Sequence, residues 1–298
     1  MRNAALRLGA AGWYLPPMAA SRAGIEDNLR RIREDIAGAC ARAGRSQREV
    51  TIVAVTKSVG VETIRLLPEL GLTELAENRV QQLVERAREL AGYFQGRAAA
   101  RGGFAAAGRA SLAPGTATQA GPSIQPAQIA VAPGAARASG PSQPVRWHMV
   151  GHLQRNKVKA VLGVADAIHS IDSLRLAEDI SARAEAAGQT IDLLIEVNCS
   201  REPQKSGLPV PAVSHMAALI CTLPGVRLVG LMTMAPRVRD PEDARPTFAR
   251  LREVFDEMRE GKVGGPHFAH LSMGMSQDYA VAVEEGATML RIGTALFE

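Results

Sequence analysis

Hydrophobic positions along the chain follow two spacings, one typical of buried strands and the other of amphipathic helices. Val50 to Thr56 is uncharged and rich in β-branched residues, which predicts a strand covered on both faces. Before this strand, apolar residues recur every three or four positions from Ile25 to Cys40, with Arg and Glu between them. That spacing predicts a helix with one buried stripe. The same alternation of strand and helix continues along the chain.

Eight strand–helix units are predicted in this way. The predicted strands cover about residues 50–56, 73–76, 145–150, 165–171, 191–197, 226–234, 268–272 and 288–292. Amphipathic helices lie between them, one ending at Gly71, one beginning at Asp240–Pro241 and one beginning at Ser276. The alternation predicts a single (β/α)8 TIM-type barrel of the α/β class, with a doubly wound open sheet as the alternative. No Gly-x-Gly-x-x-Gly motif follows the first strand, which disfavours a dinucleotide-binding open sheet.

Two segments lack the pattern of a packed core. Residues 95–144 consist mainly of Ala, Gly, Pro, Ser and Gln, so we predict a disordered surface insertion there. Residues 1–20 are predicted to be a poorly ordered N-terminal extension, with Met18 as a candidate start of the biological chain. The barrel is therefore expected over residues 21–298, interrupted by the insertion.

Charge and composition exclude several classes of function. The net charge of +5 is concentrated in one stretch, because residues 95–146 carry five arginines and no acidic residue. Aromatic residues are not interleaved with these basic residues, so we expect no nucleic-acid binding. No apolar run has the length of a membrane span, and we expect no membrane association. Three widely spaced cysteines predict a reduced, cytoplasmic environment.

Histidines offer no metal motif. His148 and His152 are four residues apart, but on a strand and its following loop they need not converge. His169 is interpreted as a core or rim histidine. Without a paired Cys/His or HExxH motif, we expect no metal site.

Candidate chemistry gathers at the carboxyl ends of the predicted strands, where barrel enzymes place their active sites. Lys57 follows the first strand, at the rim of an apolar core, where a partly desolvated amine is a candidate Schiff-base nucleophile. Small residues in 272–276 and 291–294 would let backbone N–H groups point at a phosphate. The residues alone leave two alternatives open: Lys57 is a counter-ion of a phosphate-binding barrel, or it is a solvated lysine.

Eight short motifs, in the same order, resemble the YggS/PROSC family of pyridoxal phosphate homeostasis proteins. The resemblance runs from about residue 22 to the end of the chain, with the insertion as its interruption. The motifs are AVTK (54–57), ENRVQ (77–81), WHMVGHLQRNK (147–157), HSIDSLRLA (169–177), LIEVNCSREPQKSG (194–207), GLMTM (230–234), LSMGMSQD (271–278) and MLRIGTALF (289–297).

The resemblance implies a barrel of the alanine racemase N-terminal type that binds pyridoxal 5′-phosphate (PLP). It assigns the Schiff-base lysine to Lys57, the contact with the pyridine nitrogen to Arg291, and a position lining the cofactor to Asn78. The phosphate positions that it implies are Ser272, Gly274, Ser276, Gly293 and Thr294.

A carrier of the cofactor is expected rather than a racemase. An arginine at the pyridine nitrogen is always charged and disfavours the ring proton that makes PLP a strong electron sink. Racemases of this fold add a second base, a tyrosine from a C-terminal β-domain, whereas this chain ends at Glu298. We therefore expect intracellular storage and delivery of PLP without robust turnover, by a monomer with PLP-dependent apo-enzymes as partners. The alternative is a PLP-dependent amino-acid racemase or a related enzyme.

Overall fold

Parallel strands close into a barrel, and helices cover its outside. The computed structural model describes residues 20–102, 145–200 and 206–298. The predicted N-terminal extension, except residue 20, and residues 103–144 of the predicted insertion lie outside these ranges. One end of the insertion follows a helix, and the other end precedes a strand. Both ends therefore lie at the amino ends of the strands, opposite the face predicted to carry the site.

Nine strands lie within the described ranges. They are β1 (Thr51–Val55), β2 (Glu74–Glu77), β3 (Arg146–Met149), β4 (Ala167–Ile171), β5 (Ile191–Asn198), β6 (Leu208–Pro209), β7 (Val226–Met232), β8 (His270–Ser272) and β9 (Met289–Ile292). Eight of them pair in parallel in the order β1-β2-β3-β4-β5-β7-β8-β9, and β9 returns to β1. The predicted (β/α)8 barrel is confirmed, and the open sheet is wrong. The two-residue β6, which the sequence pattern did not predict, pairs only with β5.

The helices follow the predicted alternation. They are α1 (Arg22–Arg42), α2 (Val61–Leu66), α3 (Val80–Gly102), α4 (Val158–Leu162), α5 (Leu174–Ala186), α6 (Val213–Ile220), α7 (Arg245–Glu260), α8 (Tyr279–Glu284) and α9 (Thr294–Phe297). The predicted stripe from Ile25 to Cys40 is buried on α1, which packs against α8 and α9. Among these helices, none combines the length and the apolar character needed to cross a membrane.

Two helix boundaries differ from the prediction. The helix α3 continues through the first residues of the predicted insertion, to Gly102. The helix α8 begins at Tyr279 rather than at Ser276, because the side chain of Asp278 accepts a hydrogen bond from the Met275 N–H and closes a turn first. The short α9, directly after β9, was not predicted.

Alternating side chains of the strands divide the core into two layers. Val53, Val55 and Ala76 belong to a small apolar cluster inside the barrel. Ala54 and Leu75, one position away along the same strands, pack into the larger cluster between the sheet and the helices. The inner layer also holds buried polar residues, and these build the candidate site.

Gly230 of β7 tests how tightly neighbouring strands pack. A Cβ at this position would lie 1.9 Å from the backbone oxygen of His270 in β8. We expect Gly230→Ala to lower the free energy of unfolding by about 1–3 kcal/mol, because the strands must move apart. Gly92→Ala on α3 is the matched control, since open space surrounds that position and alanine is the better helix former. Denaturant unfolding checks both variants, and equal effects would contradict the packing argument.

Candidate cofactor site at the barrel mouth

The carboxyl ends of β1, β2, β8 and β9 bring the predicted site residues to one face. Lys57 and Asn78 follow β1 and β2, Ser272 ends β8, and Gly293 follows β9. The strands β1 and β9 are neighbours, with Ala54 opposite Ile292. The sequence of the loops and the closure of the barrel therefore place the candidate lysine beside the candidate phosphate segments.

Arg291 is a buried cation fixed from two sides. Its Nη1 donates to Ser272 Oγ at 2.7 Å, and its Nη2 donates to the backbone oxygen of Thr233 at 2.9 Å. Burial lowers the pKa of Arg291 to about 10, although the charges of Asp278 and Glu196 oppose this shift. The guanidinium therefore remains charged at neutral pH, and its position is set by neighbours on β8 and directly after β7.

A cradle of backbone groups joins the loop after β8 to the segment after β9. Ser276 Oγ accepts hydrogen bonds from the N–H groups of Gly293, at 3.3 Å, and Ala295, at 3.1 Å. The Arg291 N–H donates to the Gly274 oxygen at 3.0 Å. Gly274 has φ 89°, and a Cβ there would lie 2.6 Å from the Cβ of Ala282. The cradle therefore needs glycine at 274 and presents N–H donors at the barrel mouth.

Lys57 is exposed, unlike the partly desolvated amine expected at the strand end. Its turn is nevertheless held in place, because Arg86 of α3 donates to the backbone oxygens of Thr56, at 2.5 Å, and Val59, at 2.7 Å. These two carbonyls flank Lys57 in the chain. Sequence reasoning did not identify Arg86, because its spacing from Lys57 has no local signature.

Glu77 is a fully buried carboxylate next to this turn. Its Oε1 accepts hydrogen bonds from Arg86 and from the Thr56 hydroxyl, whereas its Oε2 has no hydrogen-bond partner among the described residues. Burial raises the pKa of Glu77, and the positive charges of Arg86 and Lys57 oppose that rise only in part. The site therefore contains a buried carboxylate oxygen, Glu77 Oε2, that has no hydrogen-bond partner among the described residues. The positive charge of the exposed Lys57 acts on this carboxylate.

A row of polar side chains crosses the inside of the barrel. Ser272 Oγ lies 2.9 Å from His169 Nδ1, and His169 Nε2 lies 2.8 Å from His148 Nδ1. His148 Nε2 lies 2.6 Å from Glu74 Oε2. Burial, together with the charge of Arg291, holds the pKa of His169 well below its usual range.

These contacts change the interpretation of the histidines. His148 converges on His169 rather than on His152, which lies 3.4 Å from Asp172. The sequence does carry a signal for this row: Glu74 and His148 occupy inward positions on paired strands, where apolar residues are expected.

The structure therefore groups the predicted residues unequally. Direct hydrogen bonds link Arg291 to Ser272 and Gly274, and a separate hydrogen bond links Ser276 to Gly293. Lys57 and Asn78 are exposed on the same rim, and Thr294 begins α9.

Comparison with known proteins places these features in a family. The model of the alanine racemase N-terminal domain matches residues 25–298. The pyridoxal phosphate homeostasis protein of Aquifex aeolicus is 35% identical, over 91% of this chain and 96% of its own length. The Escherichia coli K12 protein of the same name is 31% identical, over 92% and 95%. The structure of PipY from Synechococcus elongatus with PLP bound has a TM-score of 0.66 and 25% identity, covering 92% of this chain and 100% of that one.

Proposed function

Because the chain belongs to the alanine racemase N-terminal domain family and, within it, to the pyridoxal phosphate homeostasis proteins, we propose that it binds PLP at the barrel mouth. Its function is PLP homeostasis, meaning storage and delivery of the cofactor, without robust catalytic turnover. The observation that carries the proposal is the direct hydrogen bonding between buried Arg291, Ser272 and the glycine-containing cradle.

The residues present suit the parts of PLP. Lys57 would hold the aldehyde, and its exposure leaves it open to the cofactor. The N–H groups of Gly293 and Ala295, which bond to Ser276 Oγ, suit a phosphate oxygen. The proposed phosphate site keeps Gly274, Ser276, Gly293 and Thr294, as the resemblance implies. Arg291 would face the pyridine nitrogen, and Asn78 would line the site.

Ser272 takes a different place in this proposal from the one that the resemblance implied. Its side chain is fully buried, and its hydroxyl is engaged with Arg291 and His169. We therefore assign Ser272 to the support of Arg291 rather than to the phosphate.

The same residues favour holding the cofactor over turning over amino acids. Bound PLP supplies an electron sink for carbanions, and that sink is strongest when the ring nitrogen is protonated. Arg291 retains its own protons at neutral pH and so disfavours a proton on a ring nitrogen facing it. Tyr279 is not placed to act as a second base, because its hydroxyl donates to Asp35 of α1.

The cellular location, the recipients of PLP and the oligomeric state are also part of the proposal. Cys40, Cys199 and Cys221 are free thiols, which is consistent with the reducing cytoplasm. The exposed Lys57 suits transfer of PLP to apo-enzymes, which we propose as the recipients. We propose that the protein acts as a monomer.

A spectroscopic titration tests the proposal. We expect purified protein to acquire a visible absorbance band on addition of PLP, and borohydride to remove that band while fixing the cofactor to the chain. A transfer assay with a PLP-dependent apo-enzyme then checks delivery. Racemisation of alanine or serine at an ordinary enzyme rate, on the order of 10 per second, would instead support the amino-acid racemase. Phosphate binding without the visible band would support the barrel in which Lys57 is only a counter-ion.

A further inference from the structure

A continuous row of buried side chains connects Arg291 at the mouth to the opposite end of the barrel. Ser272, His169 and His148 are completely buried, and Glu74 ends the row at the amino end of β2. We propose that Ser272, His169, His148 and Glu74 are positioning residues that fix the Arg291 guanidinium through hydrogen bonds of one defined direction. The inference rests on the proposed function, since a fixed Arg291 serves the cofactor ring.

The proposed direction of the hydrogen bonds has Arg291 as the donor at one end of the row and the Glu74 carboxylate as the acceptor at the other. Arg291 can only donate, so Ser272 Oγ accepts from its Nη1, and the proposed order assigns the Ser272 hydrogen to His169 Nδ1. His169 then carries its proton on Nε2 and donates to His148 Nδ1. By the same rule His148 carries its proton on Nε2 and donates to the Glu74 carboxylate. In this proposed order both histidines carry their ring proton on Nε2.

The electrostatics at the Glu74 end support this order. Burial alone would raise the pKa of Glu74, but the hydrogen bond from His148 and the charge of Arg146 outweigh it, and the pKa is lowered. Glu74 therefore remains an acceptor. Arg146 lies 3.7 Å from Glu74 Oε2 and bonds at 2.9 Å to Asp192, so the far end of the row is anchored as well.

The Ser272 hydroxyl joins Arg291 to the two histidines. The row therefore holds Arg291 in one orientation, together with the second hydrogen bond to the Thr233 oxygen. Buried polar networks in which every group is paired can specify one arrangement in this way.

The first experiment reads the tautomers of the unmodified protein without cofactor. Nitrogen-15 NMR of the imidazole rings at neutral pH should show that His148 and His169 are both neutral and protonated on Nε2. A proton on Nδ1 of either ring, or a charged imidazolium, would overturn the proposed order. This measurement does not depend on PLP binding, so it separates failure of the row from failure of the proposed function.

The second experiment removes the charge at the remote end. Glu74→Gln keeps the shape of the side chain, and we expect PLP affinity to fall roughly tenfold, as for outer-shell partners of other bound groups. We also expect the visible band to shift. Glu253→Gln is the matched control, because Glu253 pairs with Arg250 in an exposed ion pair on α7 and takes no part in the row, and it should bind PLP like the parent. Equal PLP affinities and spectra in the parent, Glu74→Gln and Ser272→Ala would refute a positioning role.

Discussion

Replacement of Lys57 by alanine is expected to abolish covalent attachment of PLP. The visible band and the borohydride-fixed cofactor should both disappear, because no other lysine among the described residues lies at the end of β1. Non-covalent binding through the cradle and Arg291 should persist at an affinity at least about tenfold lower, equivalent to about 1.4 kcal/mol. Absorbance spectroscopy and peptide mapping after reduction check this result.

Two further variants distinguish the covalent bond formed by Lys57 from the effect of its positive charge. Lys57→Arg keeps a cation near Glu77 but cannot form the covalent bond, so it should lose the band as alanine does. Lys159→Ala on α4 removes another exposed lysine and should leave the band unchanged. A fixed cofactor in Lys57→Ala, mapped to a different lysine, would show that the assignment of Lys57 is wrong.

Loss of Arg86 should have the largest effect on stability. Arg86→Met leaves the Glu77 carboxylate buried without its cation and frees the backbone oxygens that flank Lys57. Breaking a buried ion pair in this way costs about 3–5 kcal/mol. We expect that loss in the free energy of unfolding at neutral pH, measured with denaturant. The double variant Arg86→Met with Glu77→Met should recover part of it, since no charge is then buried.

The pH dependence of this loss identifies Glu77 as its cause. Without Arg86, the folded-state pKa of Glu77 rises further above the unfolded value of about 4.3. A raised folded-state pKa contributes stability that is present below the unfolded pKa and is lost as pH rises through the folded pKa. The deficit of Arg86→Met should therefore grow from acid toward neutral pH. Arg155→Met, which breaks an exposed pair with Asp179, should show little effect at any pH.

The barrel could be predicted because its strands carry strong local signals. The uncharged β1 and the amphipathic α1 each follow a spacing that one segment alone determines. The exact ends of the helices could not be predicted as well, because they depend on competition between neighbouring residues. The start of α8 is set by the Asp278 side chain, and α3 continues through Ala98 to Ala100 because alanine favours a helix even where composition indicates disorder.

The residues of the candidate site also differ in how far the sequence could predict them. Lys57 and the cradle follow strand ends, so their approximate place could be inferred from the order of the strands. The inward polar residues Glu74 and His148 are a sequence signal for the row from Arg291 to Glu74, but its connections could not be inferred. The hydrogen bonds of the row join side chains of β2, β3, β4, β8 and β9 across the inside of the barrel. Arg86 was missed for a related reason, since it reaches the Lys57 turn from a helix that follows the next strand.

The separation of the two ends of the barrel has an evolutionary consequence. The segment between Gly102 and Val145 leaves and re-enters the fold at the amino ends of the strands. Lengthening a surface connection is thermodynamically inexpensive, at about 0.6 kcal/mol for each doubling of a flexible loop. Length and composition can therefore drift in this segment under weak selection, while the opposite rim of the same barrel stays constrained by its ligand. An insertion at this end can therefore change the length of the chain without changing the residues that form the site.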